Sequence, residues 1–90
     1  MKQFRIRLFG QVQGIGFRSF ACFHAQQKKL SGFVQNASDE HVEIVVQGTE
    51  SACQSFLEIV CKGPAWAHVR RFEIMEEKVF KKMTGFEVRY

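Results

Sequence analysis

A glycine-rich segment near the start of the chain carries the residue types best suited to chemistry. Residues 10–18 read GQVQGIGFR, with glycine at three of the first seven positions and an arginine at the end. Because glycine tolerates positive φ, Gly14 and Gly16 let the chain curl until successive backbone N–H groups converge on one centre. Arg18 adds a permanent charge and a planar fork of donors that suits two oxygens of one anion. The segment is therefore a candidate oxyanion site.

This segment joins a predicted strand to a predicted helix. Within residues 3–9, Phe4, Ile6 and Leu8 alternate with Gln3, Arg5 and Arg7, which indicates a half-buried strand. From Phe17 to about Lys29 there is neither Gly nor Pro, which favours a helix with Arg18 in its first turn. A helix start attracts anions through its unpaired N–H groups and is unfavourable for an arginine. From the residues alone, an anion site and a glycine-rich turn beside a surface arginine both stay open.

Neither of the common nucleotide-binding loops fits this segment. The Walker loop ends in Gly-Lys-Ser/Thr, whereas Gly16 is followed by Phe17 and Arg18. The dinucleotide fingerprint needs a third glycine at the position where Ser19 stands. An anion bound here is therefore not expected to be held as in those two classes.

The rest of the chain alternates strand and helix patterns. A strand at 33–37, a turn at 38–40 and a strand through 42–46 come first. A helix follows, with Thr49 or Ser51 as its N-cap and a stop signal at 62–64. The chain then continues with a strand at 69–75, a polar connection at 76–85 and a short strand at 86–90, in which Phe86, Val88 and Tyr90 face inward. This order predicts an α+β fold of the ferredoxin-like split β-α-β type. It comprises βαββαβ plus a short C-terminal strand, and two helices lie on one face of an antiparallel sheet.

Two apolar stripes supply the helix layer of the predicted core. Their members are Phe17, Phe20, Ala21 and Ala25 in the first helix and Ala52, Phe56, Ile59 and Val60 in the second. Ninety residues, 46% of them hydrophobic, suffice for one core but not for two. We therefore expect a single domain over residues 1–90.

The net charge and the cysteines indicate which ligands and which cellular compartment to expect. The formal net charge of +4 favours anionic ligands, but the basic residues are scattered, as expected for a solvated surface. The amino terminus enters the first strand pattern directly, which predicts no signal peptide, and no apolar stretch is long enough to cross a bilayer. Cys22, Cys53 and Cys61 are odd in number, and one helix would hold the last two about 12 Å apart. We expect free thiols in a reducing, cytoplasmic protein.

Other reactive residue types give weaker patterns. His24, His41 and His68 show no i, i+4 pair on a helix, so no metal site is predicted. Nothing near Cys22 would lower its pKa, so core packing is favoured over a nucleophile. Trp66 is expected to cover an edge of the core, with a pocket lining as the alternative.

Two segments of this chain resemble the acylphosphatase family. Residues 10–18 resemble its defining motif, and residues 32–36 (GFVQN) resemble its Gly-aromatic-Val-x-Asn strand at the expected distance. Similarity continues through Val42-Glu43, Gly48, Phe56, Gly63-Pro64, Val69 and the closing 85–88, so that it covers essentially the whole chain. The resemblance implies a monomeric enzyme that hydrolyses acyl phosphates without metal or cofactor. It implies a small acyl phosphate and inorganic phosphate as ligands, and neither nucleic acid nor membrane as a partner.

The resemblance also implies a role for each site residue. The phosphoryl group would be held by Arg18 and by the backbone N–H groups of Gln13, Gly14, Ile15, Gly16 and Phe17. Asn36 would orient the attacking water, because an amide can align water although it cannot act as a base near neutral pH. Arg18 and Asn36 are thus the predicted catalytic residues.

Three residues depart from the family pattern. Ile15 stands for Val and Phe33 for the commoner Trp, and neither change removes a reactive group. Glu40 replaces the glycine of the usual Asp-Gly hairpin turn. Because a glutamate avoids positive φ, we expect this turn to be longer or differently shaped.

Two other classes of protein share part of this pattern. An RNA-binding ferredoxin-like module has the same element order, but it needs an aromatic-rich strand of which residues 30–34 give only a fragment. The acylphosphatase-like domain of hydrogenase-maturation proteins normally begins a much longer chain, so the length of 90 residues favours the free-standing enzyme.

Overall fold

A computed structural model describes residues 1–14, 16–38 and 40–90 and has the predicted ferredoxin-like arrangement. The elements are β1 (Lys2–Gln11), α1 (Phe17–Gln27), β2 (Ser31–Ala37), β3 (His41–Gly48), α2 (Glu50–Lys62), β4 (His68–Glu77) and β5 (Phe86–Arg89). The strands form one sheet in the order β4-β1-β3-β2-β5, in which β5 runs parallel to β2 and the other neighbours are antiparallel. The predicted α+β fold is confirmed.

One face of the sheet carries the core. Alternation in β1 places Phe4, Ile6 and Leu8 beneath the helices, where they are buried. Helix α1 packs against β2 and β5, and α2 packs against β1, β3 and β4. The buried stripe of α2 is Cys53, Phe56, Leu57 and Val60. These four residues follow the i, i+3, i+4, i+7 spacing from Cys53 and face the sheet. The buried stripe is therefore rotated about the helix axis relative to the predicted one, and Ala52 and Ile59 lie at its margin.

Helix α2 begins and ends where its sequence indicates. The Thr49 hydroxyl accepts a hydrogen bond from the Ala52 N–H at 3.2 Å, which confirms Thr49 as the N-cap. At the other end the Gly63 N–H donates to the Ile59 carbonyl at 2.9 Å. No helix within the described ranges has both the length and the apolar character that crossing a membrane requires.

Charged side chains cover the face of the sheet opposite the helices. Arg5 pairs with Glu77 at 2.7 Å and with Glu43 at 3.3 Å, and Arg7 pairs with Glu43 at 3.2 Å. Burial by itself raises the pKa of the Glu43 carboxyl, but hydrogen bonds from Arg7 and Gln35 and the charge of Arg5 hold it below its ordinary value. This open face is therefore a network of ion pairs.

The polar connection between β4 and β5 crosses the same face and is anchored by a buried glutamine. Gln47 is 1% exposed, and its Nε2 donates to Gln3 Oε1 and to the Lys81 carbonyl, both at 2.7 Å. Its Oε1 accepts the Met83 N–H at 2.9 Å. One side chain thus supplies partners for two backbone groups of the connection.

We predict that Gln47→Leu lowers the free energy of unfolding by about 2–3 kcal/mol, because it leaves polar groups without partners at a buried position. Urea unfolding measures this change, with Gln54→Leu on the exposed face of α2 as the matched control. A loss no larger than that of Gln54→Leu would contradict the anchoring role.

Candidate active site

Three strand ends meet at one edge of the sheet. Strands β1 and β2 both run antiparallel to β3, and β5 runs parallel to β2, so the carboxyl ends of β1, β2 and β5 lie at the same edge. The β1–α1 loop starts there, Asn36 lies near the end of β2, and Tyr90 follows β5. The topology therefore brings the glycine-rich segment and Asn36 to one end of the molecule.

The glycines of the loop adopt the backbone geometry that the sequence predicts. Gly14 has φ 72° and Gly16 has φ 80°, a left-handed region that favours glycine. Gly16 is the N-cap of α1, where no side chain caps the helix and no acidic residue occupies the first turn among the described residues. The helix start thus presents backbone N–H donors without a counter-charge from the first turn. Ile15 lies outside the described residues.

Two buried side chains fix the ends of this loop. Val12 and Phe17 are each 1% exposed and belong to the hydrophobic core. Since the Phe17 side chain is in the core, only its backbone N–H is available to a ligand. Core packing therefore fixes where the backbone of the loop begins and where it ends.

Gln13 ties the loop to the neighbouring hairpin. Its Nε2 donates to the Ala37 carbonyl at 2.8 Å and to the His41 carbonyl at 2.7 Å. These two residues pair across the end of the β2–β3 hairpin, one residue beyond Asn36. The side chain of Gln13 therefore sets the distance between the loop and the strand end that carries Asn36.

Arg18 is held by the last two residues of the chain. Its Nη1 donates to the Arg89 carbonyl at 3.3 Å, and its guanidinium lies 4.6 Å from the centroid of the Tyr90 ring. That bond uses one of the five N–H groups of the guanidinium. The prediction that Tyr90 faces inward is wrong: the residue is 97% exposed, because β5 ends at Arg89 and the ring lies against Arg18.

Asn36 extends the helix-covered face of β2 beyond the core. Residues two apart on a strand share a face, so Asn36 lies on the same face as the fully buried Val34. Its side chain is exposed, and no hydrogen bond joins the amide to another described residue. The amide is thus available to a water molecule on the side of the sheet from which α1 begins.

In the hairpin turn beside Asn36, Glu40 does not avoid positive φ. Ala37 pairs with His41, so the connection has three residues, 38–40. Glu40 adopts φ 61°, the left-handed conformation that a glutamate was expected to avoid. A three-residue hairpin places a left-handed residue at this position, and pairing of the strands outweighs the local preference of the side chain. Asp39 lies outside the described residues.

A cavity of about 950 Å³ adjoins the start of the loop. Its lining residues are Gly10, Gln11, Val12, Gln13, Glu40, Trp66, His68 and Arg70. Neither Arg18 nor Asn36 lines it, and among the described residues Gln13 belongs both to the cavity wall and to the predicted phosphate loop. Trp66 is 61% exposed and lines this cavity, with its ring 6.4 Å from that of Phe20, so the pocket alternative describes it better than an edge of the core.

The three cysteines lie in surroundings that disfavour the thiolate. The half-buried Cys22 approaches the Phe86 carbonyl at 3.7 Å, and burial raises the pKa of its thiol. Burial likewise raises the pKa of Cys53 and Cys61, and the three thiols are free, as expected. In the part of the chain that the structure describes, no three His, Cys, Asp or Glu residues come together as metal ligands would.

Comparison with known proteins places this geometry in a family. The acylphosphatase family model matches residues 4–88. The acylphosphatase of Bacillus subtilis (strain 168) is 39% identical over 90 residues, which cover 100% of this chain and 99% of that protein. The crystal structure of acylphosphatase from Bacillus subtilis superposes with a TM-score of 0.95 and covers 100% of both chains. HypF from T. kodakarensis is 34% identical with a TM-score of 0.86, but this chain covers only 12% of it. The chain belongs to the acylphosphatase family.

We predict that Gln13→Leu lowers the free energy of unfolding by about 1–2 kcal/mol, because the carbonyls of Ala37 and His41 lose a half-buried donor. Chemical denaturation measures the loss. Gln11→Leu is the matched control, since Gln11 is exposed two residues earlier and makes no side-chain hydrogen bond to a described residue. If the two variants were equally stable, the hydrogen bonds from Gln13 to the hairpin would not stabilise the fold.

Proposed function

We propose that this chain hydrolyses acyl phosphates to a carboxylate and inorganic phosphate without a metal ion. The observation that carries the proposal is the start of α1. Positive φ at Gly14 and Gly16 leads into a helix whose first turn holds Arg18 and no acidic residue among the described positions. Membership in the acylphosphatase family supports the same chemistry.

Phosphate binding falls to the loop and Arg18. The N–H groups of Gln13, Gly14, Ile15, Gly16 and Phe17 would donate to the phosphoryl oxygens. The free N–H groups of Arg18 would neutralise the charge that these oxygens carry, each charge-assisted bond contributing about 1.5–3 kcal/mol. Such preorganised donors stabilise a loose phosphoryl-transfer transition state mainly by position and charge.

Asn36 would orient the attacking water. Its exposed amide lies at the same sheet edge as the loop and can accept from or donate to a water molecule. The water oxygen forms a bond to phosphorus while the bond from phosphorus to the acyl oxygen breaks. The electron pair leaves with the carboxylate, and the water proton passes to a phosphate oxygen or to solvent.

The leaving group explains why weak groups suffice. A carboxylate is a stable anion, so its departure requires neither a general acid nor a metal ion. The groups to which this reaction is assigned are Arg18, the amide of Asn36 and the backbone donors of the loop, and none of them is a strong base. This set matches a reaction limited by positioning and charge rather than by proton transfer.

The open face of the sheet favours this function over an RNA-binding module. Phe9 lies 4.2 Å beneath the Arg71 guanidinium and Phe33 lies 3.8 Å beneath that of Arg89, measured to the ring centroids. Bases would have to displace these cations in order to stack on the rings. Acidic residues on the same face, including Glu43, would also repel nucleic-acid phosphates.

A single domain over residues 1–90, a monomeric state and a cytoplasmic location stay predictions.

We predict that the purified chain hydrolyses benzoyl phosphate after dialysis against a chelator. Arg18→Gln is expected to lower kcat/KM by about 10²–10³, as losing one preorganised donor to a transition-state oxyanion does, and to weaken competitive inhibition by inorganic phosphate. Asn36→Ala is expected to lower kcat while phosphate inhibition is retained. Steady-state kinetics separate the two effects.

Lys2→Gln is the control for charge, because it removes one positive charge at the opposite edge of the sheet. Wild-type turnover in Arg18→Gln would disprove the assignment of the phosphate site. Activity that appears only with added metal would disprove the metal-independent mechanism.

A second prediction concerns the chain terminus that holds Arg18. Tyr90→Leu removes the ring beneath the guanidinium and is expected to raise the inhibition constant of phosphate about two- to fivefold, the effect of an exposed cation–π contact of roughly 0.5–1 kcal/mol. Tyr90→Phe keeps the ring and is expected to bind phosphate as the wild type does. If both variants weakened phosphate binding equally, the ring would not be what holds Arg18.

A further inference from the structure

The cavity beside the loop is flanked by two charged residues in unusual backbone positions. Glu40 occupies the hairpin turn with φ 61°, which costs an ordinary side chain about 1–2 kcal/mol relative to a right-handed conformation. Arg70 lies at a β-bulge: Phe9 pairs with Arg71 and Gly10 with Val69, so Arg70 has no partner on β1. Bulges redirect side chains, and they occur often beside active sites.

The sheet order places these two charges on opposite walls. Strand β1 lies between β4 and β3, so the turn that leads into β3 and the start of β4 flank the end of β1 from its two sides. Two strand spacings separate them, about 10 Å, which long side chains can bridge from both directions. Both Glu40 and Arg70 line the cavity.

Neither charge has an ion-pair partner among the described residues. Glu40 and Arg70 are exposed and take part in none of the ion pairs among residues 1–14, 16–38 and 40–90. They are therefore not paired with each other across the cavity. The site presents a carboxylate on one wall and a guanidinium on the other, next to the ring of Trp66.

We propose that this cavity binds the acyl group of the substrate and that Glu40 and Arg70 select an acyl group bearing both an ammonium and a carboxylate. The inference rests on the proposed function, because Gln13 belongs both to the predicted phosphate loop and to the cavity wall. A phosphoryl group in the loop directs its acyl substituent along that wall. The ammonium then faces Glu40, and the carboxylate faces Arg70.

Four substrates with the same reacting carboxyl environment test this selection. The first is benzoyl phosphate, and the second is 4-carboxyphenylglycine phosphorylated at the carboxyl group on its ring, which carries both an ammonium and a carboxylate. The third is the N-acetyl derivative of the second, whose acyl group carries only the carboxylate charge. The fourth is its carboxamide, whose acyl group carries only the ammonium charge. In the wild type, kcat/KM for the doubly charged substrate is expected to exceed that for benzoyl phosphate about four- to twenty-five-fold, since each of the two exposed ion pairs gives about two- to fivefold.

Two variants assign the two charges. Relative to benzoyl phosphate, Glu40→Gln is expected to lower kcat/KM about two- to fivefold for both ammonium-bearing substrates and not for the N-acetyl derivative. Arg70→Gln is expected to lower it for both carboxylate-bearing substrates and not for the carboxamide. Arg71→Gln and Glu58→Gln, which change the same charges outside the cavity, are expected to leave the four ratios unaltered.

A stability measurement separates charge from backbone geometry at Glu40. Glu40→Gly is expected to raise the melting temperature by a few degrees, because glycine accepts the left-handed conformation without strain, and to lose ammonium selectivity as Glu40→Gln does. A wild-type enzyme that hydrolyses the four substrates with equal kcat/KM would overturn this inference and leave the proposed function intact. A wild-type chain that hydrolyses none of them would overturn both.

Discussion

Positive charge at the start of α1 is the constraint on which the rest of the site depends. The helix begins at a left-handed Gly16 without a side-chain cap or an acidic residue in its described first turn, and Arg18 adds a full charge to the partial charge of the backbone. Such an arrangement is unfavourable for the free protein and becomes favourable when an anion occupies the loop. Burial of Val12 and Phe17 on either side of the loop offsets this unfavourable energy and holds the loop backbone in place.

The sheet then decides what surrounds this charge. Because β1, β2 and β5 end at one edge, three segments far apart in sequence contribute an amide at Asn36, a clamp at Gln13 and a support for Arg18 at Tyr90. The contacts of Gln13 and Tyr90 are individually weak, and each hydrogen bond contributes on the order of 1 kcal/mol. Their effect comes from fixing the geometry before a ligand arrives, which suits a reaction that needs alignment more than acid–base chemistry.

Local patterns predicted most of the fold but not the contacts between distant segments. Alternation in β1, the Thr49 cap and the glycine geometry of the loop were all recognisable, because each depends on a few neighbouring residues. Tyr90 continued an alternating pattern but lies past the last paired residue, so alternation could not predict its position. The conformation of Glu40 depends on how two strands pair, and the bulge at Arg70 depends on register against β1. A single sequence does not encode either in a local pattern, so the cavity they flank was not predicted.

Titration of isotopically labelled protein with inorganic phosphate, followed by NMR through the backbone amide and arginine Nε–H shifts, shows whether the start of α1 binds an anion. Phosphate bound at the helix start is expected to shift the amides of residues 13–17 and the Arg18 Nε–H together, with one dissociation constant. Amides of β4 and of the open face are expected to stay unchanged at the same concentrations. Shifts confined to scattered surface lysines, or an Arg18 signal that does not respond, would show that the start of α1 is not a phosphate site.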